Sequence, residues 1–440
     1  MNPKVSIVIP SLNSMYYIEE CLQSVLNQTL QDIEILCVDA NSTDGTLEYL
    51  KELESKDKRL KVLLSQKKSY GHQMNLGIKA AKGEYLGIVE SDDYIKSNMY
   101  AELYRIAKEK QCDVVKGDML EFVDKNGERI FTYTRLINWT KCLYHRNLNA
   151  KDVRVFTQSG IMNPSGIFKL SFLRENQIYH NESLGAAYQD TGFWFFTHLL
   201  ASKIFFVNEA FYCYRQDNEN SSVNHISLEK ALNLSREYDF IRKKLDDNPN
   251  LKNLISLVSY LRFGGYNWIL GRIMDAYKLP FLQRIQSEFL ELEAKGELDW
   301  SYFDEFQRAK LERILKDPKE YYQSIASKPK GAVERVKNQL SYKLGAEILK
   351  IKSPIKILKL PFTLYVIISN HRFEQKVLKA LVSLKPELKP LRLQDFADYD
   401  ESLKVKEHLS YRLGSAMLKN PFTFPFKIPS IYKDYKRKNK

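Results

Sequence analysis

The chain has 440 residues, of which 44% are hydrophobic and 12% aromatic, so it can bury a core and is not an intrinsically disordered protein. Its length predicts more than one domain. The formal net charge of +13 lies entirely in residues 331–440, which carry 23 Lys and Arg against 10 Asp and Glu, whereas residues 1–330 carry 44 of each. This distribution argues against nucleic acid as a partner and favours an anionic surface that the basic tail contacts.

The first 125 residues alternate short aliphatic runs with stretches of helical periodicity. The runs predict strands at Val5–Ile9, Ile33–Val38, Lys61–Leu64 and Tyr85–Val89. The periodic stretches predict helices at Tyr16–Gln28, Thr46–Leu53 and Gln73–Lys82. This order is typical of a mostly parallel, Rossmann-like α/β sheet flanked by helices. Ligands bind such sheets at the carboxyl ends of the strands.

The rest of the chain becomes progressively helical. A hairpin is predicted from Met119–Val123 and Arg129–Thr134, and residues 227–322 have amphipathic helical periodicity. From about residue 332 we expect short helices, divided at prolines such as Pro361 and Pro429. A repeated hexapeptide, Leu340–Gly345 and again at 409–414, predicts a duplicated helical docking element. The apolar run Val5–Pro10 is too short for a secretory signal, and there is no run of about 18 apolar residues, so we expect neither a signal peptide nor a membrane-spanning helix.

Polar clusters follow three of the predicted strands. Pro10–Asn13 follows the first strand, Asp39–Thr46 the second, and Tyr70–Gly77 the third. A carboxylate at the sheet edge, such as Asp39, suits hydrogen bonding to a nucleobase or ribose; alternatively, this loop only caps the next helix. The third cluster offers a helix N-terminus, which can approach a ribose or a phosphate.

A fourth cluster, Glu90–Asp93, follows the strand that ends at Val89. Adjacent carboxylates repel one another unless a positive charge neutralises them. A divalent cation that bridges a diphosphate supplies this charge, and hard oxygen ligands suit Mg²⁺ or Mn²⁺. The alternative is a polar turn that caps a helix starting near Ser97.

Together the four clusters resemble family 2 glycosyltransferases, which have the GT-A fold. Val5–Pro10 with Asn13 is similar to the family's first strand and turn, and Val38–Thr46 to its V-D-D-G-S-T-D-G-T signature. The segment Lys82–Leu86 leads into the acidic cluster as the family's A-x-G-E-Y-I does. Two positions depart from the pattern, because residues 40–41 are Ala-Asn in place of Asp-Gly and Glu90 stands where the family has Asp.

The resemblance covers about the first 220 residues and implies a set of donor and metal contacts. The residues predicted to bind the donor nucleotide are Pro10, Asn13, Asp39, Gly71, Asn75, Ser91, Asp92 and Arg215. Asp92 and Asp93 are predicted to hold the divalent metal, Mn²⁺ or Mg²⁺. Arg215 ends a segment that resembles the family's P-L-Y-x-Y-R strand, where it either offsets phosphate charge or pairs with a nearby carboxylate.

The resemblance also implies a general base. In the family a Glu-Asp pair provides it, and Gln189-Asp190 stands at that position here. Asp190 is therefore predicted to accept the proton of the acceptor hydroxyl. The aromatic run Phe193–Phe196 is expected to bury the carboxyl group and raise its pKa. Without the resemblance, Asp190 is interpreted as an ordinary helix N-cap.

These patterns predict an inverting, metal-dependent glycosyltransferase with three regions. Residues 1–225 are expected to form the GT-A domain, 226–330 a helical extension, and 331–440 a basic helical tail that docks on the cytoplasmic face of an anionic membrane. The alternative for this tail is a solvated helical segment or a contact between subunits. The expected reaction moves a sugar from a nucleotide diphosphate donor, such as a UDP-sugar, to a growing surface glycan or a lipid-linked glycan. The alternatives are a nucleotidyltransferase, which needs a Gly-rich basic loop after the first strand, and a membrane-docked scaffold, which leaves the strand-end carboxylates unexplained. No G-x-G-x-x-G motif supports a dinucleotide enzyme.

Overall fold

The computed structural model describes residues 3–125, 127–137, 143–218, 226–326, 331–351, 353–385 and 390–438. The chain divides into two compact units, Met1–Lys316 and Asp317–Lys440. In the described part of the chain, every helix is too short or too polar to cross a membrane.

The first unit contains one mixed sheet. Its strands are β1 (Val5–Ser11), β2 (Ile33–Asp39), β3 (Leu60–Leu64), β4 (Tyr85–Ile88), β5 (Tyr94–Ile95), β6 (Val114–Lys125), β7 (Glu128–Thr134), β8 (Gly166–Lys169) and β9 (Ile204–Arg215). The strand order is β3-β2-β1-β4-β8-β6-β9-β5, with β7 paired to β6. Strands β3, β2, β1 and β4 are parallel, whereas β8 is antiparallel to both of its neighbours. The predicted GT-A-like fold class is confirmed, and the second half of the sheet is mixed.

Helices cover both faces of this sheet. The helices of the first unit are α1 (Met15–Leu26), α2 (Thr46–Lys56), α3 (Tyr70–Ala80), α4 (Met99–Lys110), α5 (Arg154–Thr157), α6 (Leu170–Glu175), α7 (Asp190–Leu200), α8 (Leu228–Asp246), α9 (Ile255–Leu270), α10 (Asp275–Ala294) and α11 (Glu305–Lys316). Of these, α8 packs against α7, and α9 and α10 pack against α8. Every residue of β1 and β2 is buried, as expected for parallel strands packed on both faces. Helix α3 begins three residues before its predicted start because Ser69 caps it by accepting a hydrogen bond from the His72 amide (3.2 Å).

The second unit is helical. It contains α12 (Pro318–Ala326), α13 (Ala332–Lys337), α14 (Leu340–Leu349), α15 (Pro354–Leu384), α16 (Tyr399–Glu407), α17 (Leu409–Lys419) and α18 (Phe424–Lys438). The prediction that Pro361 and Pro429 divide this region is wrong, because both lie inside helices, α15 and α18. On an exposed helix, the backbone carbonyl that loses its N–H partner to proline can bond to water instead.

The two copies of the repeated hexapeptide pack against each other. They begin α14 and α17, which cross where Gly345 of one copy meets Gly414 of the other. A Cβ atom at Gly345 would lie 1.7 Å from the Ser410 carbonyl oxygen, and one at Gly414 would lie 1.8 Å from that of Ser341. The duplication therefore forms a reciprocal helix pair in which glycine permits close backbone approach.

Candidate active site

The loops after β1 and β2 are joined through a buried carboxylate. Asp39 accepts hydrogen bonds from the hydroxyl groups of Ser11 (3.0 Å) and Ser42 (2.6 Å) and from the Ser42 amide (2.8 Å). Asn13, in the left-handed region at φ 52°, accepts from the Thr43 amide (2.8 Å) through Oδ1, and its own amide donates to the Ser42 hydroxyl (2.8 Å). Asp39 and Asn13 thus hold the two loops in one conformation.

Two further predicted contacts also belong to this framework. Pro10 is buried within β1, opposite Val38 of β2. Ser91 is partly exposed, and its hydroxyl oxygen lies 2.8 Å from that of Ser14, at the start of α1. The loop after β4 is thereby joined to the loop after β1.

The first turn of α3 holds the segment that precedes the predicted base. A Cβ atom at Gly71 would lie 1.9 Å from the Asn181 carbonyl oxygen. The Asn75 amide group donates to the His180 carbonyl (2.9 Å) and to Glu182 (3.1 Å), and Asn75 Oδ1 accepts from the His180 amide (2.8 Å). Gly71 and Asn75 therefore fix the position of residues 180–182.

The two aspartates of the acidic cluster differ in accessibility. Asp93 is buried and accepts from the Tyr212 hydroxyl (2.6 Å) and the Arg215 amide (2.8 Å), one bond to each oxygen. Burial and the charge of Asp92 raise the pKa of Asp93 well above its usual value. Asp92 is partly exposed; its Oδ2 accepts from the Asn218 side chain (2.8 Å), and its Oδ1 has no partner in the described part of the chain. Asp92 can therefore offer an oxygen to a ligand.

Glu90 connects this cluster to residues 180–192, the segment that contains the predicted base Asp190 (the base segment). The Tyr70 hydroxyl donates to Glu90 Oε1 (2.8 Å). Burial, together with the charges of Asp92 and Asp190, raises the pKa of Glu90 to about 8 despite this bond. Three acidic groups from two motifs, the cluster after β4 and the Asp190 motif, therefore interact at one edge of the sheet.

Arg215 is surrounded by acidic side chains. Its buried guanidinium forms ion pairs with Glu20 (2.7 Å), Asp124 (3.0 Å) and Asp217 (3.3 Å). The guanidinium carbon also lies 4.5 Å from the centroid of the Phe122 ring. Of the two predicted roles, this geometry favours pairing with carboxylates.

Asp190 is the first residue of α7. Burial raises its pKa to about 6, and the N–H groups at the start of α7 and the charge of Lys116 oppose the shift. The direction agrees with the expected effect of the aromatic run. The preceding Gln189 is buried, and its side-chain amide donates to the carbonyls of Ser183 (3.1 Å) and Gly185 (3.0 Å). These bonds hold the loop before Asp190 in place.

One acidic residue in this neighbourhood lies outside all the sequence motifs. Glu237 on α8 is buried and accepts from the Asn181 side chain (2.8 Å). Burial, together with the charge of Asp190, raises the pKa of Glu237 to about 8 despite the bond from Asn181. Its only signal in the sequence is a glutamate within the buried stripe of an amphipathic helix.

Two regions of the chain match known protein families. Residues 6–168 match the glycosyl transferase family 2 model, and residues 273–437 match a domain of unknown function (DUF8374). The crystal structure of S. aureus TarS 1–349 in complex with UDP-GlcNAc has the same fold, at a TM-score of 0.54 and 20% identity, over 73% of this chain and 90% of that one. The fold and the family model define a glycosyltransferase with a GT-A fold.

Two relatives are similar in sequence. Glycosyltransferase GlyG of Streptococcus pneumoniae is 32% identical over 251 residues, which are 56% of this chain and 81% of the relative. Poly(ribitol-phosphate) beta-glucosyltransferase of Bacillus spizizenii is 35% identical over 234 residues, 51% of this chain and 34% of the relative. The chain belongs to glycosyltransferase family 2.

Proposed function

We propose that this enzyme is an inverting glycosyltransferase that moves a sugar from a UDP-sugar to a hydroxyl group of a surface glycan, either free or lipid-linked. The observation that carries the proposal is the electrostatic interaction of Asp190, at the start of α7, with Glu90 of the acidic cluster after β4. This interaction supports a site at the carboxyl edge of the sheet in which the base lies close to the acidic cluster. The TarS complex with UDP-GlcNAc and the poly(ribitol-phosphate) relative support the donor and acceptor classes.

Asp190 acts as the general base in this proposal. The acceptor hydroxyl oxygen bonds to the anomeric carbon while the bond from that carbon to the diphosphate oxygen breaks, and its electron pair leaves with the diphosphate. The hydroxyl proton passes to the Asp190 carboxylate. With a pKa of about 6, this group is largely ionised at neutral pH and still basic enough to accept a proton.

The acidic cluster fits a divalent cation that the substrate helps to bind. In the described residues, no three His, Cys, Asp or Glu side chains are arranged as a metal site. Mg²⁺ and similar cations are commonly held by one or two carboxylates together with substrate phosphates, and Asp92 has an oxygen available for this. Asp93, with both oxygens bonded, orients the turn in this account. The cation would neutralise charge on the departing diphosphate.

A nucleotide-sugar screen tests the proposed reaction. UDP-sugars are incubated with the enzyme, with Mn²⁺ or with a chelator, and both the released UDP and the released sugar 1-phosphate are measured. We expect metal-dependent release of UDP. Release of sugar 1-phosphate would instead indicate transfer of the nucleotidyl group and contradict the proposal.

We also propose that the second unit docks on the anionic inner face of the plasma membrane, so that the cytoplasmic enzyme is peripheral. Helix α15 carries large exposed apolar residues within an arc of about 100°. These residues are Phe362, Val366, Phe373, Val377, Leu381 and Leu384. Arg372 and Lys376 border this stripe, and Phe422 and Phe426 are also largely exposed. Apolar side chains beside basic ones are typical of interfacial helices.

Vesicle sedimentation tests the docking. Each basic residue near an anionic surface contributes about 1 kcal/mol, so Arg372→Glu with Lys376→Glu should weaken binding to phosphatidylserine vesicles at least about thirtyfold. The control combines Lys51→Glu, on the exposed side of α2, with Lys58→Glu in the exposed turn that follows this helix, and it should bind as the wild type does. Equal binding of both double variants, or wild-type binding that is independent of salt and lipid charge, would contradict membrane docking through α15.

A further inference from the structure

An exposed aromatic side chain lies beside the base segment. Trp268, near the end of α9, is 37% exposed. Its ring meets that of Tyr188 edge to face, with centroids 6.2 Å apart and an interplanar angle of 87°. Tyr188 is two residues before Asp190, so the indole stands next to the position where an acceptor hydroxyl has to arrive. An indole face with solvent access offers a large, rigid apolar surface on which a sugar ring can stack.

A cation lies over the same indole. The guanidinium carbon of Arg272 is 4.2 Å from the centroid of the Trp268 ring, and Arg272 is itself exposed. In the described part of the chain, no carboxylate forms an ion pair with it, in contrast to Arg215 and its three acidic partners. Arg272 Nη1 donates to the Trp268 carbonyl oxygen (3.4 Å), and the N–H groups on the other nitrogens are available to a phosphate group, which guanidinium binds through two parallel hydrogen bonds.

Tyr188 connects this pair to the base. Its backbone lies in the left-handed region at φ 69°, which costs energy for a bulky residue and is found preferentially at functional sites. The Tyr188 hydroxyl is buried and has no hydrogen-bond partner in the described residues. The charges of Asp190 and Arg272 both act on it, the first raising and the second lowering its pKa. Tyr188 therefore lies within electrostatic reach of both groups.

We propose that Tyr188, Trp268 and Arg272 form the acceptor subsite and that this subsite binds a sugar that carries a phosphate group. The inference rests on the proposed role of Asp190. The acceptor ring stacks on Trp268, the phosphate pairs with Arg272, and the adjacent sugar hydroxyl points to Asp190. Because the carboxylates of Asp92 and Asp190 make the neighbouring edge negatively charged, an anionic acceptor needs a cation at this position.

Ligand-observed NMR titration with three probes tests the subsite. The probes are a neutral methyl glycoside, the same glycoside with a methyl phosphodiester, and a glycosyl diphosphate with a short alkyl chain. The phosphodiester represents a phosphate within a glycan, and the diphosphate represents a lipid-linked acceptor. We expect at least one phosphorylated probe to bind more tightly than the neutral one, and the tighter of the two identifies the source of the phosphate.

Single variants separate the contributions of charge and stacking. Arg272→Ala should weaken binding of the tighter phosphorylated probe about tenfold and leave binding of the neutral probe unchanged. Arg272→Lys keeps the charge without the planar fork, so its affinity for the phosphorylated probe should lie between those of the wild type and Arg272→Ala. Trp268→Ala should weaken binding of all three probes. The matched control is Arg308→Ala, since Arg308 lies over Trp300 at 5.3 Å but is paired with Glu312 on α11. This control should bind all probes as the wild type does.

Three results would overturn the subsite: equal binding of neutral and phosphorylated probes, unchanged binding in Arg272→Ala, or a comparable loss of UDP affinity in that variant, which would place Arg272 at the donor.

Hydrolysis of the UDP-sugar without acceptor is measured in parallel. If the wild type hydrolyses no UDP-sugar, the proposed function fails; if it does and Arg272→Ala still binds the phosphorylated probe normally, only the subsite fails. Both side chains are exposed, so the variants should unfold at the wild-type temperature.

Discussion

Two regions of the first unit differ in how their buried polar atoms are bonded. The strand-end loops are residues 10–14, 39–46 and 90–93, and their buried carboxylates, those of Asp39 and Asp93, are fully hydrogen-bonded to other groups of the protein. In the base segment, residues 180–192 with its α8 neighbour Glu237, three buried side-chain oxygens have no partner in the described residues; they belong to Tyr188, Gln189 and Glu237. Buried polar atoms are normally paired, so this contrast indicates that the strand-end loops, where we propose the donor binds, are preformed, whereas the base segment has bonding capacity left for a ligand.

The largest expected effect is the loss of the base. Asp190→Asn should lower kcat by about a hundredfold or more while leaving UDP affinity unchanged, because proton acceptance is lost and the donor side is intact. The wild-type rate should also fall as pH drops below about 6, where the Asp190 carboxyl group becomes protonated. Both are measured by UDP release. Asp246→Asn, an exposed aspartate on α8, should keep the wild-type rate and pH profile; a rate in Asp190→Asn equal to the wild type would make Asp190 structural.

A stability measurement probes the strand-end loops. Asp39→Ala leaves the Ser11 hydroxyl and both donors of Ser42 without their buried acceptor, so the free energy of unfolding should fall by about 2–3 kcal/mol. Urea denaturation measures the change. The exposed Asp32→Ala serves as the control and should cost much less. Unchanged stability of Asp39→Ala would mean that Asp39 does not hold these loops together.

The base segment should respond differently. The native pKa of Glu237 is raised to about 8, so the folded enzyme keeps this proton between about pH 4.5 and 8 while the unfolded chain releases it. Its contribution to stability is therefore complete below the unfolded pKa and is lost as pH rises towards 8. Glu237→Gln should remove that part of the decline and change stability little at pH 5. Denaturation across this pH range measures it, and a decline identical to the wild type would contradict the assignment.

Local patterns in the sequence were sufficient to predict the first half of the sheet. Val5–Ile9 and Ile33–Val38 are continuous apolar runs, and each becomes a fully buried parallel strand. The four-residue strand β8 carries too little periodicity to reveal that it pairs antiparallel with β4 and β6. The prediction that Pro361 ends a helix is wrong because this residue is exposed, and water can bond to the backbone carbonyl that a proline within α15 leaves without an N–H partner.

The functional residues divide in the same way. The acidic cluster and Asp190 stand in recognisable motifs, so the sequence could place them at strand and loop ends. The partners of Arg215 are separated from it by up to 195 residues, and the interaction of Glu237 with the base segment depends on the packing of α7 against α8. Such contacts between distant residues arise from tertiary structure and leave no local pattern.

The stereochemistry of donor hydrolysis tests the account most directly. A UDP-sugar with an α-anomeric linkage is hydrolysed without acceptor, and the anomer first released is observed by proton NMR before it equilibrates. Direct displacement with a single base, Asp190, predicts the β-anomer, and Asp190→Asn should release it at a correspondingly lower rate. Initial release of the α-anomer would contradict an inverting mechanism and with it the role assigned to Asp190.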